Sequence, residues 1–251
     1  MQFCRYARLV KGLGANVLFE APQILHPVLG DLDGIDQLFK KGDSLPEFDL
    51  QCPLLSLPLA FKTTIATIPT PTAYLQSEPA LVDVWAHRLG ERKVPRIGLV
   101  WSGNPGHGND RNRSVSLAAL LEHLPAGLDY VSLQKEIREA DRATLESFGN
   151  VRFFGPELKH FADTAALSDL MDIVISVDTS VAHLCGALGK PTWMLLPFCP
   201  DWRWLLERND SPWYDSMTLY RQPSVGDWDS VFSRVSADLE MTFNASRLPD
   251  R

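Results

Sequence analysis

Short apolar runs alternate with helix-patterned segments between residues 96 and 196, and this alternation constrains the fold more than any other feature. The runs predict strands at 96–101, 130–133, 151–154, 172–176 and 191–196. Helices are predicted for the segments between them, at 117–124, 139–148, 163–171 and 181–188. Strands alternating with helices of this length form βαβ units and a parallel sheet. Because the runs are almost continuously apolar, we expect helices to cover both faces of the sheet.

The part of the chain before residue 93 has a less regular pattern. Phe3, Tyr6, Ala7 and Val10 have helical spacing, so the chain is predicted to open on a helix. The later predictions in this part are a strand at 15–20, a helix at 22–32, a strand at 48–51, a loop at 68–72 and a helix at 79–89. A doubly wound domain usually begins with a strand. Either this first domain is irregular, or it lacks its first strand.

A polar, turn-prone stretch at 90–95 marks the predicted domain boundary. The resulting fold class is α/β, with parallel sheets in two Rossmann-like domains at 1–92 and 93–230. A C-terminal helix is predicted for 231–251.

Composition excludes several classes of function. The formal net charge of −7 argues against a uniformly basic nucleic-acid binder. The apolar runs are too short to span a membrane, so we expect peripheral membrane contact at most. The four cysteines are scattered without a C-x-x-C pair, which indicates free thiols in a reducing cytoplasm and no metal site.

The segment from Asp178 to His183 lies between a predicted buried strand and a helix. A helix N-terminus has free N–H groups and the positive end of the helix dipole, so it suits a phosphate. A diphosphate there would meet backbone amides, the hydroxyls of Thr179 and Ser180, and the His183 imidazole. Asp178 would accept hydrogen bonds from a sugar. The alternative is structural: an ordinary N-cap, with His183 as a core histidine.

The long loop 101–114 also follows the carboxyl end of a predicted strand. Small residues in it allow close approach of the backbone to a ligand, and arginine pairs with phosphate through a planar fork. The alternative is a solvated surface loop. The candidate binding residues of this loop are Ser102, Gly103, Asn104, Arg111 and Arg113.

A third polar cluster, Gln134 and Lys135, follows the strand at 130–133. Gln134 would read a base or sugar edge, and Lys135 would meet a phosphate. Since neighbouring parallel strands bring their carboxyl ends to one edge, the three clusters together predict a nucleotide site. Two aromatic segments, 201–204 and 211–214, are interpreted as packing between domains rather than as sugar-stacking surfaces.

These residues resemble a known family. The pattern Asp178-Thr179-Ser180-x-x-His183, followed by Gly186-Ala187-Leu188-Gly189-Lys190-Pro191, is similar to the nucleotide-sugar motif of heptosyltransferase-like glycosyltransferases (glycosyltransferase family 9-like). The segments 101–104, 109–114, 132–135, 200–204 and 226–228 resemble, more closely still, the C-terminal module of bacterial tetratricopeptide-repeat glycosyltransferase-like proteins.

The resemblance implies a GT-B architecture, in which two Rossmann-like domains enclose a cleft and the second domain holds the donor. It implies metal-independent transfer with no cofactor, because basic side chains and a helix dipole stabilise the leaving diphosphate. Residues 1–92 would form the acceptor side. Relatives begin this module with a strand and a Gly-Leu-Gly-Asp-like turn whose aspartate is thought to be the base, and this sequence starts after it.

Two functions follow from the resemblance. The first is a glycosyltransferase that passes a sugar from a nucleotide-diphosphate donor to a glycan, lipid-linked or protein acceptor. The second is a non-catalytic nucleotide-sugar-binding module. A nucleotide-linked epimerase or another doubly wound enzyme has no support, since no G-x-G-x-x-G follows a predicted strand.

Overall fold

The computed structural model describes residues 1–244. Within them, the strands are β1 (Leu18–Ala21), β2 (Gln37–Lys40), β3 (Arg96–Val100), β4 (Asp129–Ser132), β5 (Val151–Phe153), β6 (Ile173–Val177), β7 (Thr192–Leu196) and β8 (Met217–Arg221). The helices are α1 (Ala7–Gly12), α2 (His26–Leu29), α3 (Leu57–Ala60), α4 (Pro79–Leu89), α5 (Asp110–Arg113), α6 (Leu117–Leu121), α7 (Glu139–Phe148), α8 (Phe161–Asp169), α9 (Ser180–Ala187) and α10 (Trp228–Asn244).

A six-stranded parallel sheet forms the centre of the molecule, in the order β5-β4-β3-β6-β7-β8. Every residue of β3 and β6 is buried, as the continuous apolar runs predict for strands covered on both faces. The strand order reverses between β3 and β6, and ligands of doubly wound sheets bind outside the carboxyl ends at such a point. The predicted α/β class with a parallel sheet is confirmed.

The first part of the chain contains a two-stranded parallel sheet, β1 beside β2. β2 was not predicted, because its alternation of polar and half-buried apolar residues over four positions is too short to stand out. The strand predicted at 48–51 is wrong, and the backbone there is irregular. Phe48 is 50% exposed and Leu50 is 91% exposed, so this apolar stretch has no sheet against which to pack.

The helix α4 packs on the six-stranded sheet although it precedes the predicted boundary. Its Trp85 is fully buried among Val131, Leu133 and Leu167. The segment before α4 is also attached to this half, because the backbone N–H groups of Tyr74 and Leu75 donate to the carbonyl of Ala187.

The C-terminal helix α10 begins at Trp228, three residues before the predicted start, and residues 245–251 of that prediction lie outside the described range. Val231, Phe232, Val235 and Leu239 of α10 belong to the main core cluster with β3 and β6. Across residues 1–244, none of the helices combines the length and the apolar character needed to cross a bilayer.

Candidate functional site

A cavity of about 750 Å³ lies at the carboxyl edge of the six-stranded sheet. The segments that follow β3, β4, β5 and β6 all contribute to its wall, together with Ile24 from the first part of the chain. The wall residues other than Ile24 are Val100, Ser102, Gly103, Asn104, Pro105, Arg113, Leu133, Gln134, Lys135, Glu136, Ile137, Arg138, Leu158, Lys159, His160, Phe161, Thr164, Thr179, Ser180 and Val181.

Most of the residues predicted to form one site share this cavity. They are Ser102, Gly103, Asn104, Arg113, Gln134, Lys135, Thr179 and Ser180. Arg111, Asp178 and His183 are not part of the wall, which departs from the prediction. Arg111 is exposed on the one-turn helix α5, where Arg113, two positions later, faces the cavity. Residues two apart on a helix do not share a face, so only one of the two arginines reaches the site.

The N-terminus of α9 opens into the cavity without a side-chain cap. Thr179 is the N-cap residue and has extended backbone angles, yet its hydroxyl makes no capping hydrogen bond. The neighbouring α8 is different, because the His160 and Asp163 side chains form a capping box at its start. The first N–H groups of a helix need partners. The tip of α9 is therefore the better place for an anion.

Gln134 has a structural role that the sequence did not reveal. Its side-chain oxygen accepts hydrogen bonds from the backbone N–H groups of Trp101 (2.7 Å) and Ser102 (2.9 Å). Its side-chain nitrogen donates to the Ser102 hydroxyl and to the carbonyl of Glu136. With both ends of the amide engaged, Gln134 joins the ends of β3 and β4. The predicted reading of a base edge is not supported by this geometry.

Two arginines share one carboxylate beside the cavity. Asp110 is buried and contacts both Arg138 and Arg113. Arg113 also donates to the backbone carbonyl of Asp178, 2.6 Å away. A methyl group at Gly103 would lie 2.5 Å from the Arg113 guanidinium, so a side chain at this position would require the guanidinium to move. Because Arg113 and Arg138 share the single carboxylate of Asp110, an excess of positive charge remains at the cavity wall.

Several wall residues were missed by sequence reasoning, above all Lys159 and His160. They follow the predicted strand at 151–154 and precede a predicted helix, which is the same position that identified the other clusters. Arg138 was missed because it lies three residues beyond the Gln134–Lys135 cluster that was chosen. In residues 1–244, no group of three or more His, Cys, Asp and Glu is arranged to hold a metal ion. All four cysteines are free thiols.

Gly155 sets the distance between the loops that follow β4 and β5. A methyl group at this position would lie 2.3 Å from the carbonyl oxygen of Lys135 and 2.2 Å from the ring of Phe153. We expect Gly155→Ala to lower the free energy of unfolding by about 1–3 kcal/mol, because a backbone atom cannot move aside as a flexible side chain does.

Urea denaturation measures this effect of Gly155→Ala. Gly12→Ala is the control, since a methyl group at Gly12 would meet nothing within 4 Å. Equal stabilities of the two variants would show that the two loops are not in close contact.

Asp178 and His183 lie behind the cavity wall in an aromatic cluster. The indole N–H of Trp204 donates to the Asp178 carboxylate at 2.9 Å, and the His183 ring stacks on Trp204 with 5.4 Å between centroids. His183 Nδ1 shares a hydrogen bond of 2.9 Å with the Tyr214 hydroxyl. His183 thus matches the core-histidine alternative more closely than the phosphate-binding one.

Burial and the charges around this cluster shift the pKa values of Asp178 and His183. Burial and the nearby guanidinium groups of Arg203 and Arg5 lower the pKa of His183 to about 3. Burial also raises the pKa of Asp178, although the hydrogen bond from Trp204 acts in the opposite direction. The imidazole is therefore neutral at physiological pH.

The low pKa of His183 predicts a loss of stability in acid. An unfolded histidine binds a proton below about pH 6.5, whereas the folded one resists protonation down to about 3. Stability is then greatest above the unfolded pKa and falls as the pH drops through this window. Asp178 has the opposite effect on stability. Because its pKa is raised on folding, its contribution is present at low pH and is lost as the pH rises.

Comparing the wild type with His183→Gln isolates the histidine contribution to acid lability. Urea midpoints between pH 4 and 7.5 should fall less steeply in the variant. If the urea midpoints of the two proteins fell equally with pH, the low pKa of folded His183 would be contradicted.

No known protein-family profile matches the chain. Among curated proteins, the chain is 29% identical over 221 residues to the protein FlbA of Caulobacter vibrioides. The match covers 85% of this chain and 34% of FlbA, so the chain spans about a third of the length of this relative.

Two solved structures resemble the fold over almost the whole chain. The E. coli ADP-heptose lps heptosyltransferase II has a TM-score of 0.63 at 14% identity, covering 98% of this chain and 95% of that one. The glycosyl transferase family 9 protein from Veillonella parvula has a TM-score of 0.58 at 9% identity, covering 98% and 93%. These likenesses confirm the predicted glycosyltransferase-like GT-B fold.

Proposed function

We propose that this chain binds a nucleotide-diphosphate sugar at the carboxyl edge of its six-stranded sheet and transfers the sugar to a glycan, lipid-linked or protein acceptor. The observation that carries the proposal is the meeting of an uncapped helix N-terminus with several cationic side chains in one cavity of about 750 Å³. The two proteins of similar fold are described as a heptosyltransferase that uses ADP-heptose and as a family 9 glycosyl transferase.

The diphosphate would lie against the tip of α9. The amides after Thr179 and the hydroxyls of Thr179 and Ser180 would receive one phosphate. Lys135 and Lys159 would approach the other from the loops after β4 and β5. In sugar transfer the bond between the anomeric carbon and the diphosphate breaks, and negative charge grows on the leaving oxygen. Fixed donors and cations placed there lower the energy of the transition state.

The nucleoside would occupy the less polar part of the same cavity. Leu133, Ile137, Leu158 and Phe161 supply apolar surface there, and such surface suits the flat faces of a base. Ser102, Gly103 and Asn104 would approach the ligand from the loop after β3. Arg113 would contribute charge, whereas Asp178 and His183 would support the α9 tip from behind.

Further parts of the sequence prediction belong to this proposal. They are residues 1–92 as the acceptor side, 93–230 as the donor domain and 231–251 as a C-terminal helix. A cytoplasmic location is proposed because the four thiols are free. The likeness to modules that accompany tetratricopeptide repeats is also proposed, since a relative of about three times the length has room for further domains.

A second candidate function is a binding module without turnover. One observation favours it: within the described cavity wall, Glu136 is the single carboxylate. Asp110 is engaged by two arginines, and Asp178 is held by Trp204. A general base for the acceptor hydroxyl would then have to be Glu136 or His160, or come from outside these residues.

Calorimetry with a panel of nucleotide sugars tests the proposal. The panel contains UDP-glucose, UDP-N-acetylglucosamine, GDP-mannose and ADP-glucose, and released nucleoside diphosphate is followed in the same samples. We expect at least one member to bind, and the corresponding nucleoside diphosphate to compete with it. Binding together with release supports a transferase, and binding without release supports the module. If no member binds, both functions are wrong.

A further inference from the structure

The loop that follows β7 presents an exposed indole at the same edge of the sheet as the cavity. Trp202 is 59% exposed, whereas Trp204 and Trp213 beside it are buried. The sequence interpretation assigned all of these aromatic residues to packing between domains. That interpretation fits Trp204 and Trp213, but it does not account for Trp202.

The indole of Trp202 is held in a fixed position. Its ring meets the ring of Trp213 edge-on, with 6.2 Å between centroids and an angle of 82°. The guanidinium of Arg203 lies 4.7 Å from the centroid of the Trp202 ring. Arg203 is itself anchored, because it donates to the side-chain oxygen of Gln2 at 2.7 Å and to the carboxylate of Asp201 at 2.8 Å. An exposed aromatic ring that is already ordered loses little entropy when a ligand stacks on it.

The backbone of the same loop is strained. Leu205 has φ 51° and ψ −166°, a region that is adopted almost only by glycine, and Glu207 has φ 57°. The guanidinium of Arg221 holds this shape by donating to the carbonyl oxygens of Trp204, Leu205 and Arg208. Strain that the surrounding structure maintains in this way is concentrated at ligand-binding segments.

The loop is also fixed to the proposed donor site. The Trp204 indole donates to Asp178, and Asp178 directly precedes Thr179 at the tip of α9. Arg113 of the cavity wall donates to the carbonyl of the same Asp178. Trp202 is therefore connected, through Trp204 and Asp178, to the place where the diphosphate would lie.

We propose that Trp202 is a stacking platform for a neutral sugar ring of the acceptor. The proposal rests on the transferase function proposed above. The C–H face of a pyranose packs well on an indole, while its hydroxyl groups need polar partners at the ring edge. The Asp201 carboxylate would supply such a partner, whereas the Arg203 guanidinium lies over one face of the indole and leaves the other face for the sugar. Because their charges cancel each other, a charged acceptor would gain little there, and an uncharged ligand is favoured over an acidic or basic peptide.

Fluorine NMR on protein labelled with 5-fluorotryptophan tests this platform. The Trp202 resonance is the one that disappears in Trp202→Phe. The probes are maltotriose, cellotriose and chitotriose, with the peptide Gly-Ser-Thr-Ser-Gly for comparison. Each is added with and without the nucleoside diphosphate that binds in calorimetry. We expect at least one trisaccharide to shift the Trp202 signal.

Affinities of variants complete the test. Trp202→Ala should weaken trisaccharide binding by about tenfold, and Trp202→Phe should weaken it much less, because a phenyl ring still stacks. Leu206→Ala is the matched control, since Leu206 is another well-exposed residue (69%) of the same loop. The proposal is overturned if no trisaccharide shifts the Trp202 signal, if only the peptide does, or if Trp202→Ala binds normally.

Measuring nucleotide affinity distinguishes a failure of the Trp202 proposal from a failure of the donor-site proposal. Trp202→Ala should bind nucleoside diphosphate as the wild type does. Failure of the wild type to bind any nucleotide would disprove the proposed donor site. A shift of the Trp202 signal by a trisaccharide would still show that the sugar binds at Trp202.

Discussion

Replacing both Lys135 and Lys159 with alanine is expected to weaken the binding of nucleoside diphosphate by about 100-fold. The two side chains line the cavity from the loops after β4 and β5, and β3 separates these strands from β6, which leads into α9. Hydrogen bonds to charged groups contribute about 1.5–3 kcal/mol each, and both lysines are exposed, so we take the lower end of that range. Calorimetry at low ionic strength measures the difference, which should shrink as salt is added.

The control for the lysine pair changes the net charge equally without touching the cavity. Arg111→Ala combined with Lys93→Ala removes two exposed cations that are not part of the cavity wall. This double variant should bind nucleoside diphosphate with nearly wild-type affinity. Equal losses in both double variants would mean that overall charge, rather than the cavity, determines binding.

Arg5→Met is expected to lower the free energy of unfolding by about 3–5 kcal/mol, a large fraction of the stability of an ordinary domain. Arg5 is only 3% exposed and donates to the carbonyl oxygens of Gln2, Pro69 and Trp213. It also donates to the Tyr74 hydroxyl. Its guanidinium lies 4.6 Å from the Tyr74 ring centroid, and removing it leaves several buried acceptors without partners.

Urea denaturation of two further variants completes the Arg5 experiment. Arg8→Met is the control, because Arg8 is exposed and its partner, the carboxylate of Asp33, is exposed as well. We expect its stability to stay within about 0.5 kcal/mol of the wild type. Arg5→Lys keeps the charge but loses the planar fork, so an intermediate loss is expected. A wild-type midpoint for Arg5→Met would show that these contacts contribute nothing to stability.

The sequence predicted the central sheet well because its physical signal is local. Apolar runs such as 96–101 and 172–176 are long enough to identify buried strands, and parallel strands necessarily share a carboxyl edge. That geometry predicts one shared site for Lys135, Thr179 and Arg113, and all three line the same cavity. The same reasoning applied to the strand at 151–154 would have added Lys159.

What the sequence did not predict depends on contacts between distant parts of the chain. His183 is drawn into the core by Trp204 and Tyr214, which lie more than twenty positions later in the sequence. No sequence pattern close to His183 predicts its stacking on Trp204. Gln134 likewise looked free to read a base, because its partners Trp101 and Ser102, just after β3, are 33 and 32 residues away.

The position of α4 decides where this chain can be divided. Trp85 covers apolar side chains of the six-stranded sheet, and the backbone at Tyr74 and Leu75 is bonded to the end of α9. A fragment cut at residue 93 would therefore uncover a water-excluding surface on its own core and would tend to aggregate. A fragment that starts upstream of Thr72, within the proline-spaced segment, would keep α4 and these backbone hydrogen bonds, although it would still expose the core surface that Phe3 and Tyr6 cover in the whole chain.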